Sequence, residues 1–510
     1  MPLSRFYSAG FIGLDAVVVD VEVDAYEAEE PGLVIVGLPD TAVKESKDRV
    51  LTAVRNSIKR PMRLRSTINL APGDLKKEGP LYDLPIALGF LHALKVLRPA
   101  VDIENDYLIV GELSLGGEVR KIRGALSVAL LARSLKKKGI ILPYENALEA
   151  GAVPDIDVIG VRTLNEAVEL LNNPLLMAEQ RSRTKGEAFF PAQPIVDFAD
   201  VKGQAHVKRA LEIAAAGGHN VLLCGPPGSG KTMLAKALVG IMPEMTLEEA
   251  LETTKVHSIA GKLRNATLVK DRPFRSPHHT ISYAGLIGGG TIPRPGEVSL
   301  AHNGILFLDE LPEFTRTVLE VLRQPLEDRL VTISRAQGTV TFPTSFICVA
   351  AMNPCPCGML GHPDKPCKCT QPQVDRYRGR ISGPLLDRID MHIEVPALRY
   401  SDIHAPQAAD TSEQVRKRVC KARLRQRERF GKVKNNGQMS SRELKTYCAL
   451  DSHCHHVLQH AVDVLGISAR ACDRLIRVAL TIADLEGASK VVESHILEAI
   501  GFRNLDVNRS

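Results

Sequence analysis

The chain reads as an α/β protein in three parts: a mixed α+β segment, a parallel-sheet α/β core carrying a phosphate-binding loop, and an all-helical C-terminal lid. Three observations predict it. A short apolar strand at Val221–Cys224 runs into a glycine-rich turn and a helical stretch, Met233–Val239. Strand-like and helix-like stretches alternate from about 194 to 397. From about 398 the pattern is almost wholly helical. A chain of 510 residues also exceeds what one hydrophobic core serves. The expected boundaries are 1–175, a linker at 176–193, 194–397 and 398–510.

Composition narrows the classes of function. The hydrophobic fraction of 44% and charged fraction of 24% are those of an ordinary globular protein. Trp is absent and aromatics make up 4%, which argues against broad base-stacking platforms. A formal charge of +6 permits nucleic-acid binding, but local clusters must carry that case. No stretch is long and apolar enough to span a bilayer, and the N-terminus lacks a positive start before an apolar run. The expectation is a cytoplasmic protein with no membrane partner. Its ten cysteines then point to thiols or metal ligands rather than disulfides.

In the first segment, Val17, Val19, Val21 and Val23 alternate with Val18, Asp20, Glu22 and Asp24, the period of a strand. Leu33–Val36 and Tyr107–Val110 are further strand candidates, and Thr41–Ser57 reads as a helix capped by Asp40. Gln180–Gln193 is polar, lacks apolar periodicity and reads as linker.

The strand Val221–Cys224 leads into Gly225-Pro226-Pro227-Gly228-Ser229-Gly230-Lys231-Thr232. Glycines in such a loop let backbone N–H groups turn around phosphates, and the following helix N-terminus favours negative charge. Lys231 can reach the β/γ-phosphates of ATP, and the Thr232 hydroxyl can bind Mg²⁺. Ile305–Leu308 followed by Asp309-Glu310 supplies a Mg²⁺ ligand and a carboxylate able to polarise the attacking water. Phe346–Ala351 leads to Asn353-Pro354, where a polar residue at a strand end can orient that water; a plain Asn-Pro turn is the alternative.

Together GPPGSGKT, SPHHTIS, GEVSLAHNGILFLDEL, AAMNPCPCG and RYRGRISGPLLDRIDMHIEVP resemble AAA+ proteins of the magnesium-chelatase-like branch, of the YifB/ComM type. These are bacterial hexameric helicases that promote DNA branch migration during natural transformation. The resemblance implies a homo-hexamer and adds two arginines. Arg388, in Leu385-Leu-Asp-Arg-Ile-Asp390, matches the finger that reaches a neighbouring subunit's γ-phosphate, worth about 10³–10⁵ in rate. Arg470, in Ser468-Ala-Arg470, matches the second sensor, although Arg474 and Arg477 lie one and two helical turns further on. For both, a surface ion pair is the alternative.

Lys77–Ala87 and Val110–Val119 resemble the proteolytic domain of Lon-type proteases. That chemistry needs a Ser nucleophile after the Gly-Pro and a Lys base after the second block. Leu81 and Leu126 stand there instead, so a non-proteolytic domain is expected.

Cys355-Pro-Cys357 and Cys367-Lys-Cys369 form two C-x-C pairs nine residues apart, with Gly358, Gly361 and two prolines between. Such a loop can fold four thiolates around one structural Zn²⁺. Reduced thiols, another metal or disulfides are the alternatives. The cluster His453, Cys454, His455 and His456 reads as a solvated helix segment.

Two inserts are candidate pore loops touching DNA. One carries Arg275, His278, His279 and Arg294 around Gly288–Gly290; the other is a strand–turn–strand from Arg329 to Phe342 containing Arg335. Their cations could track a phosphate backbone or make subunit contacts. Glu413–Lys434 carries ten basic residues against two acidic ones and reads as a helix with one packed face. Its cations form either a solvated face or a docking face for nucleic acid or a neighbouring subunit. The expected function is a ring-forming, ATP-hydrolysing translocase on single-stranded and branched DNA. A metal-chelatase motor subunit and a protein-remodelling machine are the alternatives.

Overall fold

The computed structural model describes residues 3–28, 32–58, 64–183, 196–263, 268–290, 293–335, 338–397, 410–431, 433–465 and 468–503. The chain forms two compact units, Met1–Phe190 with Ala250–Val269, and Pro191–Glu249 with Lys270–Ser510. A stretch from within the 194–397 segment thus belongs with the N-terminal residues.

In the first unit the strands are β1 (Ser4–Ile12), β2 (Asp15–Glu27), β3 (Gly32–Val36), β4 (Leu64–Ala71), β5 (Tyr107–Ile109), β6 (Glu112–Leu113), β7 (Val119–Arg120), β8 (Gly139–Pro143) and β9 (Asp157–Val161). Seven of them make one mixed sheet in the order β3-β4-β2-β1-β5-β8-β9, and β6 and β7 pair separately. The alternation in β2 has its expected consequence: Val19, Val21 and Val23 are fully buried on one face. Helix Thr41–Ile58 buries Val43, Val50, Ala53 and Val54 at helical spacing. Asp40 Oδ1 accepts from Val43 N at 2.7 Å, the cap expected at its start.

Leu81 and Leu126, expected to stand where a Ser and a Lys would be needed, sit in a single buried apolar cluster with Ala9, Leu108, Val110 and Ala125. Leu251, from helix Leu247–Ile259, packs against the same cluster. Further along that helix Ser258 Oγ accepts from Gly124 N at 2.9 Å and donates to the buried Glu149. Residues 176–183 of the stretch read as linker are instead part of helix Pro174–Arg183. Met177 is buried there, and Gln180 Nε2 donates to Gly160 O at 2.9 Å, so a polar side chain is held by a strand carbonyl. Residues 184–193 of that stretch lie outside the described residues.

The second unit carries β10 (Val221–Cys224), β11 (Phe274–Arg275), β12 (Gly288–Gly289), β13 (Arg294–Pro295), β14 (Ile305–Leu308), β15 (Leu330–Arg335), β16 (Gly338–Pro343), β17 (Ile347–Met352) and β18 (Met391–Glu394). Its main sheet runs β11-β14-β17-β10-β18, with every neighbouring pair parallel. All residues of β10, β14 and β17 are buried, as expected for parallel strands covered on both faces. The chain leaves β10 for a strand three places away and returns on its other side with β18, so ligands are expected beyond the C-terminal ends of these central strands. Ribbon β12–β13 and hairpin β15–β16 stand apart from the sheet.

Helices Ser412–Phe430, Ser441–Tyr447, Ser452–Leu465, Ala469–Glu486 and Glu493–Gly501 follow. Val415, Val419, Ala422, Leu475, Val478 and Ile482 share one core with β10, β14 and β17. In Ser412–Phe430, Arg418 pairs with Glu212 and Asp410, Arg423 and Arg425 donate to backbone carbonyls, and Arg429 binds Asp484. Much of that basic run therefore holds the unit together. His453, His455 and His456 are exposed while Cys454 is buried. Among the described residues no helix is long and apolar enough to cross a membrane.

Candidate active site

The phosphate-loop residues follow β10 at the C-terminal end of the sheet. Gly228 and Gly230 have φ of +78° and +86°, where a side chain would strain the backbone, and Gly230 caps helix Lys231–Ile241. A Cβ at Gly225 would lie 2.2 Å from Val395 O, so this position requires glycine through close approach. The first-turn N–H groups of an eleven-residue helix thus open onto the loop, the arrangement that suits an anion. Lys231 Nζ donates to Gly225 O at 2.7 Å, Pro226 O at 2.9 Å and Asn353 Oδ1 at 3.3 Å. Burial lowers the Lys231 ammonium below its ordinary value, with Asp309 acting in the other direction.

Asp309 follows β14 and Asn353 follows β17, so parallel neighbours bring both to the loop. Thr232 Oγ1 donates to Asp309 Oδ2 at 3.1 Å. Adjacent oxygens of an octahedral Mg²⁺ shell lie about 2.9 Å apart at ligand distances of roughly 2.0–2.1 Å, so this pair fits that ion. Glu310 adopts φ +53°, a left-handed conformation uncommon for a side-chain-bearing residue. Its carboxylate lies 3.2 Å from His279 Nδ1. His279 also meets the edge of Phe314, and the His278 ring lies 4.1 Å from its own.

The Arg388 side chain is largely buried, donates to Pro384 O at 2.7 Å and pairs with Glu327. Arg470 is exposed in the first turn of helix Ala469–Glu486. One turn on, Arg474 donates to Asp390 Oδ1 at 2.6 Å and to Arg388 O at 3.0 Å. Of the remaining cations, Arg275 makes a two-point ion pair with Glu297 at 2.6 and 2.7 Å. His278 and Arg294 are exposed. Arg335 is the last residue of β15, in register with Gly338. Its side chain lies outside the described residues.

Cys355, Cys357, Cys367 and Cys369 converge, with all four sulfurs within 4.8 Å of one another. The separations Cys355–Cys357, Cys355–Cys367 and Cys357–Cys367 are 3.4, 3.6 and 3.7 Å. Zn–S bonds of about 2.3 Å place the corners of a tetrahedron about 3.8 Å apart, so the donor set and its size suit Zn²⁺. The Lys368 and Met359 N–H groups hold the Cys357 thiol down at about 6, whereas desolvation and the neighbouring sulfurs push Cys367 and Cys369 up. The loop also touches the nucleotide site: a Cβ at Gly358 would lie 2.6 Å from Pro227 Cδ.

Comparison with known proteins covers almost the whole chain. The family described as magnesium chelatase, subunit ChlI, matches residues 197–403, its companion subunit ChlI of Mg-chelatase matches 21–146, and the ChlI C-terminal family matches 409–503. Competence protein ComM of Haemophilus influenzae is 44% identical over 99% of this chain and 98% of its own length. The chain belongs to the magnesium-chelatase-like family, of the YifB/ComM type. Uncharacterized protein YifB of Escherichia coli is 41% identical over 99% of this chain and 98% of its own. Lon protease 2 of Bacillus subtilis is 32% identical over 26% of this chain and 23% of its own.

Membership of this family implies an ATPase that uses ATP and Mg²⁺. Sequence reasoning missed two features of the site. His279, read as a cation for DNA, lies against Glu310; adjacency in SPHH carries no sign of that partner. Arg474, noted in the sequence only as a neighbour of the sensor position, and Asn220, not singled out there, both bind the Arg388 peptide; nothing local marks a residue whose partners lie far along the chain.

Proposed function

We propose that this protein is a ring-forming ATPase that drives DNA through a central channel and promotes branch migration, with a homo-hexamer as its working form. The observation that carries the ATPase part is the convergence of Lys231, Thr232, Asp309 and Asn353 around one helix N-terminus. The DNA part is supported by whole-length similarity to a competence protein.

Loop N–H groups and Lys231 would bind the β/γ-phosphates, and Thr232 and Asp309 would hold Mg²⁺. When bound, that ion neutralises charge on the phosphate oxygens. Asn353 orients the attacking water while Glu310 polarises it. The left-handed Glu310 carboxylate beside His279 must turn toward the γ-phosphate for this step. Arg388 leaves Glu327 to stabilise the transferring group of the neighbouring subunit, with Arg470 contacting nucleotide from the lid.

Hairpin β15–β16, with Arg335 at its turn, and the exposed Arg294 and His278 are the phosphate contacts in the channel. Arg275 is the weaker candidate because Glu297 already neutralises it. The four cysteines would hold a structural Zn²⁺, which would brace the loop behind Pro227. The unit containing Leu81 and Leu126 is a non-proteolytic scaffold. Each dyad position is filled by a buried leucine, which leaves no nucleophile or base at that place.

The test is the ATPase rate with single-stranded, duplex and branched DNA, set beside unfolded protein and a porphyrin. Stimulation by branched or single-stranded DNA alone supports the proposal. Stimulation by porphyrin with partner subunits, and none by DNA, would support a chelatase motor, which the matched family descriptions favour.

A further inference from the structure

A residue that must deliver charge to another subunit's nucleotide needs a fixed base, and the base of Arg388 is unusually well tied. Its carbonyl accepts two side-chain hydrogen bonds, from Arg474 Nη1 at 3.0 Å and Asn220 Nδ2 at 3.3 Å. The same Arg474 nitrogen donates to Asp390 Oδ1 at 2.6 Å. Asp390 Oδ2 accepts from Asn220 N at 2.7 Å, and the N–H groups of Asp390 and Met391 donate back to Asn220 O at 3.0 and 3.1 Å. Asn220 Oδ1 accepts from Cys348 N at 2.9 Å.

These bonds converge on the residue just before β10, the strand that feeds the phosphate loop. Cys348 lies on β17, the strand that leads to Asn353, and Met391 opens β18. One buried network therefore joins the Arg388 peptide to three strands and to the helix that begins at Ala469. We propose that Arg474, acting with Asp390 and Asn220, is the positioning residue of the Arg388 finger, holding it in register with its own subunit's nucleotide site. The proposal rests on the reading of Arg388 as acting across a subunit interface.

Two other duties are open to Arg474, and the geometry disfavours both. As a lid contact to nucleotide in its own subunit it would have to turn Nε or Nη2 to the phosphates while Nη1 stays fixed on Asp390 and the Arg388 carbonyl. As a bare partner for a buried carboxylate it would have no reason to bind the Arg388 carbonyl as well. Asp390 is almost wholly buried. Burial alone would raise its carboxyl, but the Arg474 charge, helped by His219 and the Asn220 N–H, holds it far below the usual range. Asp390 therefore keeps its charge at neutral pH.

Mixed rings separate these duties. Arg474→Gln is made, together with the double variant Asp390→Asn/Arg474→Gln, which removes both buried charges should the single change unfold the chain. Each is expected to lower turnover about a hundredfold, the cost of misplacing a reacting group by roughly an ångström. Binding of a fluorescent ATP analogue should be retained. Mixed with Lys231→Ala, whose finger is intact, either variant should regain activity, because its own loop then faces a sound finger. Mixed with Arg388→Ala it should regain none, since every interface then lacks a working finger.

The reverse pattern would make Arg474 a nucleotide contact in its own subunit and overturn the proposal. Recovery with both partners or with neither would also overturn it. The control pair is Lys231→Ala with Arg388→Ala. If that pair shows no recovery in demonstrated mixed rings, action in trans falls and the proposal falls with it. If the control recovers and the Arg474 pattern does not follow, only the positioning role is lost.

Discussion

Glu310→Gln separates chemistry from binding. The substitution keeps the shape of the side chain and leaves Lys231, Thr232 and Asp309 untouched, so the groups assigned to phosphate and Mg²⁺ remain. Only the negative charge is lost. A positioned base contributes about 10²–10⁴ in rate, or roughly 2.7–5.4 kcal/mol of barrier at about 1.36 kcal/mol per decade. The folded state should barely notice. The Glu310 side chain is 59% exposed, and its contact with His279 is a surface pair worth at most about 1 kcal/mol. The expected outcome is turnover reduced by at least about a hundredfold, with analogue affinity and melting temperature unchanged. Steady-state phosphate release, equilibrium binding and thermal unfolding on one preparation measure all three. Near-normal turnover would remove Glu310 from the chemical step. A rate loss matched by an equal loss of binding would make it a ligand-holding residue.

Three further outcomes are expected. Freshly prepared protein should contain about one Zn²⁺ per chain, and Cys355→Ser with Cys367→Ser should abolish it; elemental analysis without metal in unchelated protein would end the idea. Asp484→Ala should destabilise the second unit by about 3–5 kcal/mol in chemical denaturation, because Arg429, bound to Asp484 at 2.9 and 2.5 Å, is left mostly buried with no carboxylate and only Asn436 Oδ1 as acceptor. A loss below about 1 kcal/mol would show that water reaches the guanidinium instead. Arg335→Ala should leave basal ATPase intact and reduce the salt dependence of single-strand binding by about 0.7 in log–log slope per lost contact. An unchanged slope would remove Arg335 from the channel.

The parts legible in the sequence were those in which a local pattern has a local cause. Gly228 and Gly230 are required by positive φ, Val19, Val21 and Val23 by a sheet face, and Asp40 by an orphan helix N–H. The cysteine cluster was legible because the glycines and prolines between the two C-x-C pairs allow the loop to fold back on itself, as the convergence of the four sulfurs bears out. Asp309 and Asn353 could be placed because each ends an apolar strand, and parallel strands align their C-terminal ends.

What stayed hidden depends on contacts across long stretches of chain. The basic run in Ser412–Phe430 suggested a cationic face, but Arg418, Arg423, Arg425 and Arg429 meet Glu212, Ala215 O, Ala488 O and Asp484. The attachment of Ala250–Val269 to the N-terminal unit depends on Ser258 meeting Gly124 and Glu149, which no periodicity reveals. Gln180 looked like linker because its carbonyl partner lies on β9.

The central claim is that ATP hydrolysis at this site moves DNA strands. Its most direct test is strand exchange on a labelled four-way junction, followed with ATP, with a non-hydrolysable analogue and with Glu310→Gln protein. Wild-type protein with ATP should resolve the junction, and neither of the other two conditions should. Wild-type protein that hydrolyses ATP yet leaves junctions, forks and single-strand tails unmoved would contradict it.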